Sequence, residues 1–213
     1  MKKNVFKLKI LKISKTLSYK ELIQITNLIK KENDYSILSK LSTSLIKKYL
    51  QIAINSKNMF LFVLKKKNEI IGYALFTKNE DSLIKDFESI KFKIFIYLFF
   101  TLKFFSLFNI FLAITKLDLI LLNNKVYKKK KLLNLNLLAI NKIYQSKGYG
   151  NMFLTKTIKT IYSRMYKFSY ITCEAPSLRA LNFYTQKKKF RLIGKKIRIK
   201  TNLYVLVKNF NEI

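Results

Sequence analysis

Only four glycines punctuate this 213-residue chain, and two of them, Gly148 and Gly150, stand one residue apart. They follow the run "KLLNLNLLAI" (131–140) and precede "NMFLTKTIKTIYSRMY" (151–166). The first run alternates Leu with Asn and ends apolar, the pattern of a strand entering a core. The second places Phe153, Ile158 and Ile161 at helical spacing. Strand, glycine pair, helix is an order with chemical content. First-turn amides of a helix lack intrahelical partners, the helix dipole favours anions there, and missing side chains let a phosphate approach. The stretch therefore reads as a pyrophosphate cradle. It lacks the Gly-Lys-Ser/Thr ending of a P-loop and the third glycine of a dinucleotide fingerprint. Taken alone, Gly-x-Gly is also compatible with a ligand-free turn.

The rest of the chain supplies a mixed set of elements. Residues 5 to 13 alternate as a strand. "SYKELIQITNLIKK" (18–31) opens with Ser18 and Glu21 at capping-box spacing and continues as a helix. "STSLIKKYLQIAIN" (42–55) predicts a second helix. "MFLFVLK" and "IIGYALFT" predict two strands joined by the hairpin loop "KKNE". After the glycine pair come a strand ("YITCE"), a helix ("SLRALNFYTQKK") and two strands ("FRLIGKKIRIK", "NLYVLVKNF"). This order predicts an α/β (α+β) fold with one central sheet. Length favours a single domain over 1–213.

Composition narrows the chemistry. The chain has no His, which excludes Ser-His-Asp and Cys-His nucleophile systems and His-containing zinc sites. Its one cysteine, Cys173, permits no internal disulfide, and its apolar surroundings suit a buried structural thiol. The carboxylates show no metal-ligand spacing, so no metal is expected. Lys and Arg number 43 against 11 Asp and Glu, a formal net charge of +32. That field attracts phosphates on nucleic acid, anionic lipid or a small molecule without choosing among them. An AT-rich coding bias accounts for abundant Lys but not for scarce Glu. The basic N-terminus, interrupted by lysines, reads as a strand rather than a signal peptide, and the expected compartment is the cytoplasm.

"LAINKIYQSKGYG" resembles the acetyl-CoA signature of the GNAT superfamily of N-acetyltransferases, in which a strand leads through a Gln/Arg-x-x-Gly-x-Gly/Ala loop into a long helix. Gln145, Gly148 and Gly150 occupy the defining positions, with Tyr144 and Lys147 typical of the surroundings. "ITCEAPSLRALNFYTQKKKF" is similar to the family's next strand and helix. The resemblance implies a GNAT-like mixed, mostly antiparallel sheet flanked by helices. It also implies acetyl-CoA as acyl donor and an amine acceptor. Backbone groups of Leu138, Ala139 and Ile140 would hold the pantetheine arm. The loop Gln145, Ser146, Lys147, Gly148, Tyr149 and Gly150 would hold the pyrophosphate. In the implied reaction a neutral amine attacks the thioester while backbone amides polarise its carbonyl. Tyr184 would then protonate the departing thiolate; on its own sequence context Tyr184 is also compatible with a buried helix aromatic. Ser177 stands where the family has a cofactor-bonding Asn, and its hydroxyl retains hydrogen-bonding capacity. Lys189 stands where Gly precedes Phe190, which places a side chain at a turn where glycine adopts positive φ. Glu174 is a candidate general base, and equally a carboxylate paired with a lysine.

The chain departs from that plan over 80–131, expected to be a hydrophobic helical insertion. "IFIYLFFTLKFFSLFNIFLAIT" (94–115) holds one charge, Lys103, and is long enough to cross a bilayer. A central Lys costs about 2.5–3.5 kcal/mol, against about 0.3–0.6 kcal/mol returned per Leu, Ile or Phe. A single crossing would nevertheless separate strands that one sheet must unite. Residues 84 to 122 are therefore expected as one or two helices packed over the sheet, with a peripheral position against an anionic membrane as the second reading. The expected acceptor is a small-molecule amine such as an amino sugar derivative. The alternatives are a protein N-terminus or lysine and, in a different class, a non-catalytic basic protein that binds nucleic acid or anionic membrane.

Overall fold

The computed structural model describes residues 8–13, 17–78, 86–101, 105, 107–108, 110–111, 132–165, 168–196 and 203–210. The strands are β1 (Leu8–Ile13), β2 (Met59–Lys66), β3 (Glu69–Thr77), β4 (Leu132–Ile140), β5 (Tyr170–Ala175), β6 (Arg191–Lys196) and β7 (Leu203–Asn209). The helices are α1 (Tyr19–Glu32), α2 (Thr43–Asn55), α3 (Glu88–Phe100), α4 (Tyr149–Met165) and α5 (Leu178–Asn182). The seven strands form one mostly antiparallel sheet in the order β1-β2-β3-β4-β5-β7-β6; the mixed pattern predicts the single sheet, and the resemblance implies its mostly antiparallel pairing.

Two compact units divide the chain, Met1–Phe76 with Leu137–Arg164 and Thr77–Asn136 with Met165–Ile213. In the first unit, β1 runs antiparallel to β2, from Leu8 opposite Lys66 to Ile13 opposite Leu61. Helix α1 begins as its sequence dictates: the Ser18 hydroxyl accepts from the Glu21 amide, and the Glu21 carboxylate accepts from the Ser18 amide. The Ser42 side chain caps α2 in the same way, accepting from Leu45 N–H. The first unit's core is built by Ile25 and Ile29 of α1, Ile46 and Leu50 of α2, and nearly the whole of β2 and β3. Continuous burial along β2 and β3 marks strands covered on both faces. The four-residue hairpin loop expected between them is shorter. Lys66 and Glu69 belong to the strands, and the turn is Lys67-Asn68 with Lys67 at φ 55°. A two-residue hairpin needs positive φ to match strand twist, and here a lysine supplies it.

In the second unit, β5 and β7 pair antiparallel from Tyr170 opposite Asn209 to Ala175 opposite Tyr204, and β6 pairs with β7 with a bulge between Leu192 and Gly194. The β4–β5 ladder is parallel and runs from Leu132/Tyr170 to Leu135/Cys173. It stops there, although β5 continues to Ala175. The Leu/Asn alternation has a plain cause. Leu133 and Leu135 are buried, while Asn134 accepts from the Thr172 hydroxyl across the ladder and Asn136 accepts from the Thr77 hydroxyl.

Within the expected insertion, α3 is a helix of which only one face is covered. Ile90 and Leu98 are fully buried, whereas Phe92, Phe95, Phe99 and Phe100 are exposed. A helix is thus present within the expected insertion, with one face covered and the other exposed. Much of 80–131 lies outside the described residues, as do residues 5–7 of the expected first strand.

Candidate active site

Strand β4 ends at Ile140 beside β3, and a glycine sets how closely. A Cβ at Gly72 would stand 2.4 Å from Ile140 Cδ1 and 2.9 Å from the Ala139 carbonyl oxygen, so only glycine lets β4 approach here. The Asn141 amide then donates to the Ile71 carbonyl at 2.8 Å. Gly72 belongs to the site's construction and was missed in the sequence reading. Its signal was a lone glycine inside an apolar strand. Of the predicted pantetheine-facing residues, Ala139 and Ile140 are buried and Leu138 is half-buried.

From Asn141 the chain turns through Lys142–Tyr144 into the glycine loop. Gln145 does not project freely. Its Nε2 donates to the Ile140 carbonyl at 2.7 Å and to Glu32 Oε2 at 2.9 Å, while Glu32 Oε1 accepts from the Lys142 amide at 3.0 Å. Glu32, the last residue of α1, thus clamps both ends of the segment 142–145. The next residue, Asn33, caps that helix and is itself pinned, for Tyr73 Oη of β3 donates to Asn33 Oδ1 and Asn33 Nδ2 donates to Tyr35 Oη at 2.9 Å. Burial raises the Tyr73 hydroxyl well above its usual value, with Tyr35, Tyr49 and Glu32 adding to the effect, so Tyr73 stays a neutral donor.

Beyond Gln145 the backbone enters the left-handed region at Ser146 (φ 59°) and again at Gly148 (φ 79°). A Cβ at Gly148 would meet nothing within 4 Å, so the left-handed backbone, rather than crowding, is what calls for glycine. Helix α4 starts at the next residue, with Met152 N–H donating to the Gly148 carbonyl at 3.0 Å. At α1 and α2 a serine side chain folds over the first turn; Gly148 has none to offer. The first turn of this 17-residue helix is where backbone amides and the helix dipole suit an anion, and the space beside Gly148 is open. That fits a pyrophosphate, and Gly148, Tyr149 and Gly150 are the residues that would hold it.

Aromatic and cationic groups flank the loop. The Tyr144 and Tyr149 rings lie 6.1 Å apart, and Lys66 Nζ sits 4.9 Å from the Tyr144 ring centroid. Tyr144 Oη donates to Glu69 Oε2 at 3.3 Å, and desolvation followed by that carboxylate raises the phenol. Lys147 Nζ donates to the Ile143 carbonyl at 2.9 Å.

The remaining predicted residues belong to the second unit. Ser177 caps α5, its hydroxyl oxygen accepting from the Ala180 amide at 3.2 Å. Helix α5 widens into a π-helical turn over Phe183–Lys187, and Tyr184 lies in it, buried and wedged edge-on between Phe183 (5.2 Å) and Phe190 (5.5 Å). Lys189 does adopt the left-handed conformation expected at that turn (φ 55°). The turn closes with Lys189 N–H donating to the Thr185 carbonyl and Phe190 N–H to the Tyr184 carbonyl, a left-handed helix stop made without glycine. Glu174, half-buried, forms an ion pair with Lys196 at 2.6 Å, the pairing alternative raised by its sequence context. Cys173 is buried, and burial aided by Glu174 pushes its thiol well above the ordinary value, so it is no nucleophile. Among the described residues no cluster of three or more acidic or Cys side chains could hold a metal ion.

No protein-family model matches the sequence, and no curated protein is significantly similar to it. The fold, by contrast, is that of the GNAT acetyltransferases. It is similar to a polyamine N-acetyltransferase from Drosophila melanogaster (TM-score 0.62, 9% identity, 95% of this chain and 100% of that one). It is similar to a GNAT-family acetyltransferase from Streptococcus pneumoniae (TM-score 0.54, 12% identity, 94% and 99%). It is also similar to the ribosomal-protein-S18-alanine N-acetyltransferase from Escherichia coli (TM-score 0.54, 10% identity, 95% and 94%).

Proposed function

We propose that this chain is a single-domain N-acetyltransferase (1–213) that moves an acetyl group from acetyl-CoA to a primary amine. One observation carries the reading: a left-handed Gly148, with open space where a side chain would stand, at the start of a 17-residue helix reached through a Gln-x-x-Gly-x-Gly loop. In this reading the amides of Gly148 to Gly150 bind the pyrophosphate. Backbone groups of Leu138, Ala139 and Ile140 run alongside the pantetheine arm, and the Ser177 hydroxyl proton remains available to the cofactor. Acetyl-CoA, when bound, supplies the activated acyl group.

Tyr184 is the proposed proton donor to the leaving sulfur. Its ring is fixed on two sides by phenylalanines, which would hold the hydroxyl in one orientation. Glu174 is the proposed proton acceptor for the amine, and in that role it would have to exchange its Lys196 partner for the substrate.

The acceptor we propose is a small-molecule amine that also carries negative charge, such as a phosphorylated amino sugar derivative. A chain of net charge +32 repels a bare polycation and attracts an anionic carrier. A protein N-terminus or lysine is the alternative acceptor. The first test is calorimetric titration of the protein and of Gly148→Glu with acetyl-CoA. The proposal expects binding by the parent and none by the variant. A folded parent that binds no acetyl-CoA, yet binds RNA or anionic lipid with steep salt dependence, would replace the enzyme reading with a non-catalytic one.

A further inference from the structure

Helix α3 carries two apolar faces and only one is covered. Ile90 and Leu98 are fully buried and define the inner face. At 100° per residue, Phe92, Phe95, Ile96, Phe99 and Phe100 fall within about 140° of arc on the opposite side. These five residues are between 37% and 77% exposed. They make a continuous surface: Phe95 and Phe99 stack at 6.4 Å, and Phe100 meets Phe99 edge-on at 5.8 Å. Farther along, Phe105, Phe108 and Phe111 are exposed as well. Isolated surface hydrophobes need no explanation, but a contiguous aromatic stripe marks an interaction surface.

The charges beside the stripe indicate its partner. On the same wheel Lys91 and Lys93 fall at its two margins, one on each side, and both are exposed. Lys91 pairs with Glu88 at the helix start. Lysines bordering an apolar stripe extend their ammonium groups towards phosphates while the stripe enters an apolar layer. The helix has 13 residues, about 20 Å, against a hydrocarbon thickness of about 30 Å. No helix among the described residues is long and apolar enough to cross a membrane. A second copy of the chain is disfavoured as occupant, because each copy brings a net charge of +32. An anionic bilayer surface satisfies both the stripe and the charge.

We propose that α3 docks this protein onto anionic membranes. The helix lies in the interface plane, with Phe92, Phe95, Ile96, Phe99 and Phe100 immersed and Lys91 and Lys93 at headgroup level. The proposal stands independently of the acetyl-transfer reading.

Co-sedimentation with phosphatidylcholine vesicles, with and without phosphatidylglycerol, tests it on the full chain. The parent is expected to partition onto the phosphatidylglycerol vesicles. Phe92→Ser/Phe95→Ser/Phe99→Ser should lower that partition by about tenfold or more, since each ring removes buried apolar area. Lys91→Gln/Lys93→Gln should lower it several-fold and flatten its salt dependence. All five side chains are exposed, so circular dichroism and melting should match the parent. Ile96→Ser/Phe100→Ser, on the same stripe, must act in the same direction. The proposal is overturned if the phenylalanine variant partitions like the parent, for then general charge alone does the binding. It is also overturned if those substitutions instead abolish a dimer, or the binding of a single-stranded oligonucleotide, while vesicle binding stays unchanged.

Discussion

Glu32 and Gln145, 113 residues apart, meet through a 2.9 Å hydrogen bond from Gln145 Nε2 to Glu32 Oε2. With its other oxygen Glu32 accepts from the Lys142 amide, so one carboxylate at the end of α1 holds the entry to the glycine loop at two points. Hydrogen bonds to a charged acceptor contribute about 1.5–3 kcal/mol each. Glu32→Ala should therefore weaken acetyl-CoA binding by about tenfold or more, as read by calorimetry, and Glu32→Gln should recover part of the loss. Unchanged affinity in Glu32→Ala would remove the clamp from the site.

Tyr184→Phe keeps the ring and its contacts with Phe183 and Phe190 while deleting the hydroxyl. If the hydroxyl donates the proton, kcat should fall by about 100-fold or more with KM for acetyl-CoA nearly unchanged. A variant with parental kcat would return Tyr184 to a packing role.

Gly72→Ala would drive a methyl group into the Ala139 carbonyl oxygen, which is backbone and cannot rotate away. Overpacking of this kind costs about 1–3 kcal/mol. A lower denaturation midpoint, with weaker acetyl-CoA binding from a displaced β4 end, is the expected pair of results.

Lys189 adopts φ 55°, a conformation that costs a non-glycine residue about 1–2 kcal/mol. Lys189→Gly is expected to stabilise the protein and raise its Tm by a few degrees. A lower Tm would show that the lysine side chain contributes more than its backbone strain takes away.

Lys188 is buried, and desolvation, with Lys208 adding repulsion, lowers its pKa to about 8 from an ordinary 10.5. The folded state thus binds fewer protons than the unfolded state between those values, and stability rises with pH across that window. The stability penalty is complete below pH 8 and gone above pH 10.5. Lys188→Met should raise Tm at pH 7, and the gain should shrink as the pH is raised from 8 to 10.5. A pH-independent gain would assign the effect to packing alone.

Features whose physics is local were legible in the chain. The Ser18/Glu21 capping box needs only three residues of separation, and the glycine pair stands where a strand hands over to a helix. The succession of strands and helices along the chain followed from apolar periodicity, and the positive φ at Lys189 was implied by the resemblance, which has glycine before Phe190. The β2–β3 turn was misjudged because Lys66 and Glu69, polar by type, extend the two strands, and polarity alone does not distinguish a loop from a strand end.

What only tertiary structure decided is which distant partners meet. The Glu32 clamp, Lys196 as partner of Glu174, and the β4 backbone that Gly72 admits are pairings across the chain; eleven acidic residues among 43 cations leave such choices open in sequence. Helix α3 shows the same boundary most plainly. Its sequence carries large apolar residues on two opposite faces, so periodicity cannot say which of them is covered. That depends on where the neighbouring elements lie, and burial is a property of the folded surface rather than of residue type.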